Sequence, residues 1–296
     1  MDTTLLRNFL TVAEYGNITY ASEVLQIAQP TLSVQMKKLE KQLNTTLFIR
    51  QARYLELTPA GLLLQEHART IVALVDKTIH EFDSFDSNLS GEIKIGAAES
   101  ILFEKISSAF NIFHRECRQT TLDVTSGGTE YILSLLANNL VDLAVIAQPP
   151  TLERYEFLEI PGYDYWGVVM KNDDPLAKKE VITNSDLSNK PIIVSRQSLT
   201  YDLPRWQGNT ISKDNVVAYY NLATNAAVMV RQGLGLMLGF AGLVDVSQES
   251  GLTFRPLGPT LTNSMYVVWN KQQKFSPLIN EFIKYVQLVC DESFEE

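Results

Sequence analysis

Cysteine and histidine are scarce in this chain of 296 residues, which has only two cysteines and three histidines. Cys117 and Cys290 are too few for a disulfide framework and lack both CxxC spacing and a nearby histidine cluster, so we expect two reduced thiols. The histidines stand in no HExxH, GxSxG, P-loop or GxGxxG context. We therefore expect no catalytic residue, no metal site and no cofactor.

Long apolar runs are also missing. The uncharged stretch over residues 233–244 is shorter than the ~20 residues of a bilayer-crossing helix. The first residues lack the basic segment, apolar core and small-residue cleavage site of a signal peptide. We expect no membrane partner and a cytoplasmic location. The composition, 45% hydrophobic and 20% charged, is typical of a globular protein, and the length suits two domains.

Positive charge is sparse overall but concentrated near the N-terminus. The net charge is −9, yet residues 37–53 contain five basic residues and one acidic residue. Because attraction to phosphate depends on local charge, an acidic total does not exclude DNA binding.

Three short helices are predicted in the first part of the chain. Apolar residues recur at helical spacing before Gly16 and Asn17, which form a helix-exit signal. Thr19 is predicted to be the N-cap of a second helix, YASEVLQ, and Pro30 to open a third, PTLSVQMKKLEKQL. The tight turn between these two helices is typical of a helix-turn-helix.

The third helix has two unlike faces. At about 100° per residue, its apolar side is predicted to hold Leu32, Met36, Leu39 and Leu43. The opposite side carries Pro30, Val34, Lys37 and Lys41. The next segment, LFIRQARYLELTP, predicts two short strands, which complete a winged helix-turn-helix.

A long helix is predicted from Thr58 and Pro59, since no strong breaker occurs before Ser90 and Gly91. Its apolar positions are spaced by four and three, as in a coiled-coil seam: Leu64, Ala68, Ile71, Val75, Ile79, Phe82 and Phe85. We expect this seam to pair with the same helix of a second copy. Packing on the second domain of the same chain is the alternative.

Strands and helices alternate from Gly91 onward. The order EIKIGAA, a helix over 101–114, TLDVTSG, a helix from Thr129 and VDLAVIA predicts a βαβαβ unit with a parallel sheet. Further strands are predicted at YWGVVMK, KPIIVS, NVVAYY, LGLMLGF and SMYVVWN, with helices over 224–232 and 277–289.

An AQP turn, LE and LF pairs, two arginines in the wing and an LTPAG opening of the long helix stand together in residues 1–88. This combination resembles the DNA-binding domain and linker helix of LysR-type transcriptional regulators. The resemblance implies an N-terminal all-α winged helix-turn-helix with a long linker helix, and a C-terminal α/β two-lobed effector domain similar to type 2 periplasmic binding proteins. The implied domains are 1–58, 59–89 and 90–296, with one lobe of 90–161 and 266–296 and another of 162–265.

The resemblance places the third helix in the major groove of double-stranded DNA. The residues expected to meet base edges or the adjacent backbone are Gln29, Pro30, Thr31, Ser33, Val34 and Lys37. Phosphates are expected to be held by Arg50, Arg53 and Thr19. The family often has a basic residue where this chain has Val34, which offers only apolar contact, for instance with a thymine methyl group. The alternative is that these side chains are ordinary solvated groups.

Small-molecule contacts are expected where helices start beside the cleft between the lobes. The resemblance points to Ser100, Thr129, Ser198 and Thr200, with Ile101, Gln148, Thr224 and Phe240 as further candidates. Arg196 is a candidate partner for a carboxylate. The alternative is that each serine or threonine only caps its own helix.

These features predict a sequence-specific DNA-binding transcriptional regulator of the LysR type, not an enzyme, controlled by a small-molecule effector. The expected partners are double-stranded DNA, further copies in a homodimer or homotetramer, and the effector, with RNA polymerase as another candidate. Two alternatives stay open: a solute-binding or enzymatic α/β domain with an attached DNA-binding head, and a ligand-independent DNA binder.

Overall fold

The computed structural model describes residues 2–50, 54–83, 89–147, 154–206 and 211–291. The chain folds into two compact units, Met1–Asp86 and Ser87–Glu296, and each has its own hydrophobic core. Among the described residues, no helix is both long enough and apolar enough to cross a membrane.

The first unit is a winged helix-turn-helix followed by one long helix, as predicted. Its elements are α1 (Thr3–Tyr15), α2 (Ile18–Val24), α3 (Gln29–Leu43), β1 (Phe48–Arg50), β2 (Leu55–Leu57) and α4 (Pro59–Asp83). The two strands are antiparallel, with Ile49 opposite Glu56. At the start of α4, the Thr58 hydroxyl accepts a hydrogen bond from the Gly61 amide (2.9 Å), so the predicted cap is confirmed.

Local capping sets the helix ends of this unit. Gly16 ends α1 with a φ of 58° and Asn44 ends α3 with a φ of 49°, both left-handed. Asn17 caps α2, because its Oδ1 accepts hydrogen bonds from the amides of Thr19 (2.9 Å) and Tyr20 (3.1 Å). The prediction of Thr19 as the N-cap is wrong, since Asn17 supplies the acceptor and Thr19 lies inside the first turn.

The core of the first unit lies among α1, α2, α3 and the beginning of α4. Its buried residues are Leu6, Phe9, Val12, Ala21, Leu32, Met36, Leu39, Leu47, Leu64 and Ala68. Three of the four positions predicted for the apolar side of α3 are among them. The fourth, Leu43, is 38% exposed, because α3 ends at this residue and the chain turns at Asn44.

Part of the predicted coiled-coil seam of α4 is used within the unit. Leu64 and Ala68 are buried in the core, and Ile71 packs against it. Arg7 of α1 also forms an ion pair with Asp76. The prediction that these apolar positions face a second copy is therefore wrong for the first half of the helix. Periodicity shows which side of a helix is apolar but not what covers it. Among the described side chains of α4, the exposed large apolar residues are Leu62, Leu63, Leu74 and Ile79.

Within the described residues, the second unit is built on a nine-stranded sheet. Its strands are β3 (Gly91–Ala97), β4 (Thr120–Ser126), β5 (Leu143–Ile146), β6 (Tyr155–Lys171), β7 (Ile192–Ser195), β8 (Val216–Tyr220), β9 (Leu236–Phe240), β10 (Leu252–Pro256) and β11 (Thr262–Asn270). Its helices are α5 (Phe103–Glu116), α6 (Thr129–Ala137), α7 (Asn184–Leu187), α8 (Arg196–Tyr201), α9 (Ala223–Arg231) and α10 (Pro277–Cys290). Short 3₁₀ turns occur at Pro175–Lys178, Leu203–Arg205, Lys213–Asn215 and Gln248–Ser250.

The two lobes of this unit share one topology. In the first lobe, β3 lies between the parallel strands β4 and β5. In the second lobe, β7 lies between the parallel strands β8 and β9. The long antiparallel strands β6 and β11 pair with each other and join the lobes. The two-lobed α/β fold and the βαβαβ order of the first lobe are confirmed, whereas β10 and the first ten residues of β6 were not predicted.

Each lobe has its own core. One cluster includes Ile95, Ile106, Phe113, Val145 and Phe282, so α5 and α10 pack on the first lobe's strands. In this cluster the rings of Phe113 and Phe282 are 5.6 Å apart. Another cluster includes Val168, Ile192, Val194, Leu238 and Leu257 of the second lobe. Two separately packed lobes leave a cleft where their loops meet.

Candidate functional site

The face of α3 opposite the core is open to solvent. Gln29, Pro30, Thr31, Val34 and Lys37 are all exposed, and Ser33 beside them is half-buried. Val34 is 65% exposed, although it is apolar. The Gln29 Nε2 donates a hydrogen bond of 3.1 Å to the Ser33 Oγ one turn along the helix. This face therefore presents amide, hydroxyl and methyl groups, the types that contact base edges in a major groove.

The charge on this face is positive. Lys37, Lys38 and Lys41 are exposed. The carboxylate of Glu40 is engaged on the protein, because its Oε1 accepts a hydrogen bond of 2.8 Å from the Leu47 amide. The acidic residue within the basic stretch thus holds the start of the wing.

The other predicted phosphate contacts are less well defined. Arg50 ends β1 and its backbone pairs with Leu55, while its side chain and all of Arg53 lie outside the described residues. Thr19 is exposed on α2, but its amide donates to Asn17, so this amide is not available to a phosphate. Sequence reasoning missed Asn17 as the cap, although asparagine after glycine is a usual N-cap signal.

A cavity of about 660 Å³ lies in the cleft of the second unit. Three of the predicted ligand residues, Ser198, Thr200 and Phe240, line it, and their contact with a ligand stays a prediction. Arg196 also lines it, with its guanidinium 4.0 Å from the centre of the Tyr219 ring. A volume of this size suits a small metabolite.

Four further predicted ligand residues are not among the side chains that line the cavity. Among the described residues, Ser100, Ile101, Thr129 and Thr224 are not part of the cavity wall, and Gln148 lies outside the described residues. Ile101 precedes α5, which begins at Phe103 rather than at the predicted position. The contact of these four residues with a ligand stays a prediction.

Ser100 bonds to a buried carboxylate. Its hydroxyl donates to Oδ2 of Asp164 (2.6 Å) and accepts from the Leu102 amide (3.0 Å). Asp164 is fully buried. Burial raises the pKa of Asp164 to about 6, although hydrogen bonds from Ser100 and from the Ile101 amide favour the charged form. The Ser100 hydroxyl is therefore engaged within the protein.

Gln197 of the second lobe contacts the first turn of α6 in the first lobe. Its Oε1 accepts a hydrogen bond from the Thr129 amide (2.9 Å), and its Nε2 donates to the Thr129 Oγ1 (3.0 Å). The N-cap residue of α6, Gly128, has no side chain to do this. The helix start that was predicted to hold a ligand is therefore capped by the opposite lobe.

Glu99 of the first lobe contacts the first turn of α9 in the second lobe. Its Oε2 accepts a hydrogen bond of 2.7 Å from the Ala223 amide. A carboxylate at a helix N-terminus is favourable, because the exposed amides there carry partial positive charge. Burial and the nearby negative charge of Glu99 both raise the pKa of Tyr220, whose hydroxyl donates to the Leu238 carbonyl (2.8 Å). Sequence reasoning missed both Glu99 and Gln197.

The rest of the cavity wall is aromatic and polar. The rings of Trp166 and Phe240 are 4.6 Å apart, edge to face, and the indole Nε1–H of Trp166 has no hydrogen-bond partner within the described chain. Tyr131 and Tyr201 are half-exposed along the wall. An aromatic wall suits a ligand with an apolar body.

The pKa values of both cysteine thiols are raised. Burial raises the pKa of Cys117 and raises that of Cys290 to about 11, so both thiols stay protonated near neutral pH. Within the described ranges, no group of three His, Cys, Asp or Glu side chains is placed to hold a metal ion.

A winged helix-turn-helix and a two-lobed domain with a cleft define a class of protein that joins a DNA-binding head to a ligand-binding module. The family model described as bacterial regulatory helix-turn-helix protein, lysR family, matches residues 3–62, and the model described as LysR substrate binding domain matches residues 86–291. The chain belongs to the LysR family.

Known proteins agree with this assignment. A probable RuBisCO transcriptional regulator of Cyanophora paradoxa is 33% identical over 184 residues, which cover 62% of this chain and 57% of the relative. The crystal structure of CbnR, a LysR family transcriptional regulator, has a TM-score of 0.74 at 16% identity and covers 99% of this chain and 100% of that one. Full-length CbnR complexed with its target DNA has a TM-score of 0.70 at 17% identity, covering 98% and 100%. These relatives are regulators, in agreement with the expectation that the chain is not an enzyme.

Proposed function

We propose that this protein is a transcriptional regulator that binds a specific DNA sequence through α3 and the wing. The observation that carries the proposal is the exposed face of α3, where Val34 and Lys37 stand opposite the buried Met36, with exposed Thr31 beside them and exposed Gln29 at the helix start. A helix with this division packs on its own domain with one side and enters a major groove with the other. The structure of CbnR with its target DNA supports this use of the fold.

A small-molecule effector binds in the cavity of the second unit. The volume of about 660 Å³ and the aromatic wall support this assignment. The match to the LysR substrate binding domain supports it further. Thr200, Ser198 and Phe240 are the predicted residues that contact the effector.

The protein acts as a homodimer or homotetramer. A single recognition helix makes few base contacts, so binding at physiological salt requires two or more copies on spaced half-sites. The exposed apolar side chains of α4, among them Leu63 and Leu74, supply a surface for this pairing.

Contact with RNA polymerase completes the proposal, since a regulator bound at a promoter acts through the transcription machinery.

Selection of DNA tests the proposed function. The full-length protein is mixed with a library of random duplexes at about 0.15 M salt, and the retained fragments are sequenced. We expect a motif repeated with twofold symmetry, because two copies place two α3 helices on the duplex. Retained fragments with the composition of the input library would contradict sequence-specific binding.

A further inference from the structure

The two lobes repeat one arrangement around the cleft. Glu99 stands two positions after Ala97, the last residue of β3, and Gln197 stands two positions after Ser195, the last residue of β7. Both strands are the central members of their three parallel strands. Glu99 and Gln197 therefore occupy equivalent positions in the two lobes.

Their targets are equivalent as well. Gln197 bonds to the first residue of α6, the helix that follows β4, and Glu99 bonds to the first residue of α9, the helix that follows β8. Neither helix has a side-chain cap from its own N-cap residue, Gly128 or Leu222. Each lobe thus caps the helix that follows the outer parallel strand of the other lobe, in a reciprocal pair of contacts.

These contacts can persist only while the lobes stay together. Separating the lobes would remove a carboxylate from the N-terminus of α9 and both hydrogen bonds of Gln197 from α6. The amides of Ala223 and Thr129 would then lose their protein acceptors, which is unfavourable at a helix start. Both contacts span the same cleft, so a movement of the lobes that breaks one contact also strains the other contact.

We propose that Glu99 and Gln197 form a cross-lobe clasp, with Ala223 and Thr129 as its targets, that holds the two lobes together across the cleft. The inference rests on the proposed function in one respect, namely that the cleft is the effector site whose opening is regulated. A ligand acts on the lobes by changing the balance between this closed state and an open one. The clasp contributes to the stability of the closed state.

Hydrogen exchange of the full-length protein without ligand tests the clasp, resolved for single amides by NMR. In Glu99→Ala, the amide of Thr129 should exchange about tenfold faster than in the wild-type protein, although its own partner Gln197 is unchanged. In Gln197→Leu, the amide of Ala223 should show the reciprocal increase. Glu99→Gln keeps an acceptor at the same position and should restore slow exchange at Thr129.

Glu130→Gln is the matched control, because it removes a charge from the same cavity wall and leaves both clasp contacts in place. Amides in the middle of α10 report on global unfolding of the unit. If Glu99→Ala accelerates exchange only at Ala223, or if α10 accelerates as much as Thr129, the clasp is contradicted. Where Glu99→Ala does not fold, Gln197→Leu gives the same test through Ala223.

DNA binding by the same samples separates this inference from the proposed function. If exchange at Thr129 and Ala223 is coupled but the protein retains no duplex, the result supports the clasp and contradicts the proposed DNA-binding function. Uncoupled exchange in a protein that selects a DNA motif contradicts the clasp alone.

Discussion

The hydroxyl of Ser100 donates a hydrogen bond of 2.6 Å to Oδ2 of Asp164. Asp164 belongs to β6, the strand that joins the two lobes, and Ser100 belongs to the loop after β3. The bond fixes this loop against the connection between the lobes. A serine that the resemblance assigned to ligand binding is therefore engaged with a buried carboxylate whose pKa is raised to about 6.

We predict that Asp164 lowers the stability of the second unit as the pH rises from about 4 to above 6. Burial raises the pKa of Asp164 from 3.8 to about 6, so the folded chain binds this proton more tightly than the unfolded chain. The contribution to the free energy of unfolding is therefore greatest below pH 3.8 and is lost as the pH rises through 6. The whole change is at most about 3 kcal/mol.

Urea unfolding measures this effect, followed by tryptophan fluorescence, since Trp166, Trp206 and Trp269 all lie in the second unit. Between about pH 4 and pH 7.5, the wild-type protein should lose about 2 kcal/mol relative to Asp164→Asn, which has the same shape and does not titrate. Identical pH profiles for the two proteins would show that Asp164 does not titrate in this range.

The second prediction concerns the pairing surface of α4. Leu63→Glu and Leu74→Glu place a charge on exposed positions that are 58% and 43% accessible. We expect both variants to fold and to dissociate to smaller species at micromolar concentration, because a buried unpaired charge opposes an apolar interface. Analytical ultracentrifugation gives the masses.

Ala68→Glu is the contrasting variant, since Ala68 is fully buried in the core of its own unit. We expect it to unfold the first unit rather than to release a folded subunit. An intact assembly with Leu63→Glu and a folded monomer with Ala68→Glu would contradict this prediction. The interface would then be the coiled-coil seam that contains Ala68, and not the exposed surface that contains Leu63.

The third prediction concerns Lys37. A lysine that contacts phosphate releases a counterion on binding, so Lys37→Ala should weaken binding to all sequences alike. It should also flatten the plot of log affinity against log salt by about one unit. Fluorescence anisotropy with a labelled duplex measures both quantities. Lys284→Ala is the control, because Lys284 lies on α10 in an ion pair with Glu281 (2.6 Å). Equal slopes for Lys37→Ala and the wild-type protein would remove Lys37 from the interface.

The fourth prediction concerns the cavity. Thr200 is exposed on its wall, so Thr200→Trp should fill part of the space without disturbing a core. A metabolite library screened by thermal shift should contain compounds that stabilise the wild-type protein and lose this effect with Thr200→Trp. Ser188→Trp, on an exposed residue outside the wall, should respond like the wild-type protein. Equal shifts for all three proteins would locate the ligand elsewhere.

Local signals predicted the first unit well. Gly16, Pro30 and Thr58 each act within their own turn of helix, so their roles could be inferred from neighbouring residues. The burial of Leu64 and Ala68 in the core of their own unit could not be inferred in this way, because it depends on which surface packs against α4 after folding. The first ten residues of β6 were not predicted as a strand, because Pro161 and Gly162 interrupt the strand pattern of the sequence.

The candidate ligand site was less predictable for a similar reason. Ser198 and Thr200 follow β7 and line the cavity, as helix-start reasoning suggested. Glu99 and Gln197 carry the contacts between the lobes, yet their partners are 124 and 68 residues away in the chain. Only the packed lobes bring such residues together, and no local pattern marks them.

The most direct test of DNA recognition by α3 is the affinity of Val34→Glu for the duplex recovered by selection. Val34 is exposed and lies at the centre of the proposed DNA-reading face, so a carboxylate there would face the base edges and phosphates. We predict a loss of about 100-fold in affinity, with no loss for Val124→Glu, which changes an exposed valine of β4 in the second unit. Equal affinity of Val34→Glu and the wild-type protein would contradict the assignment of α3 to the DNA interface.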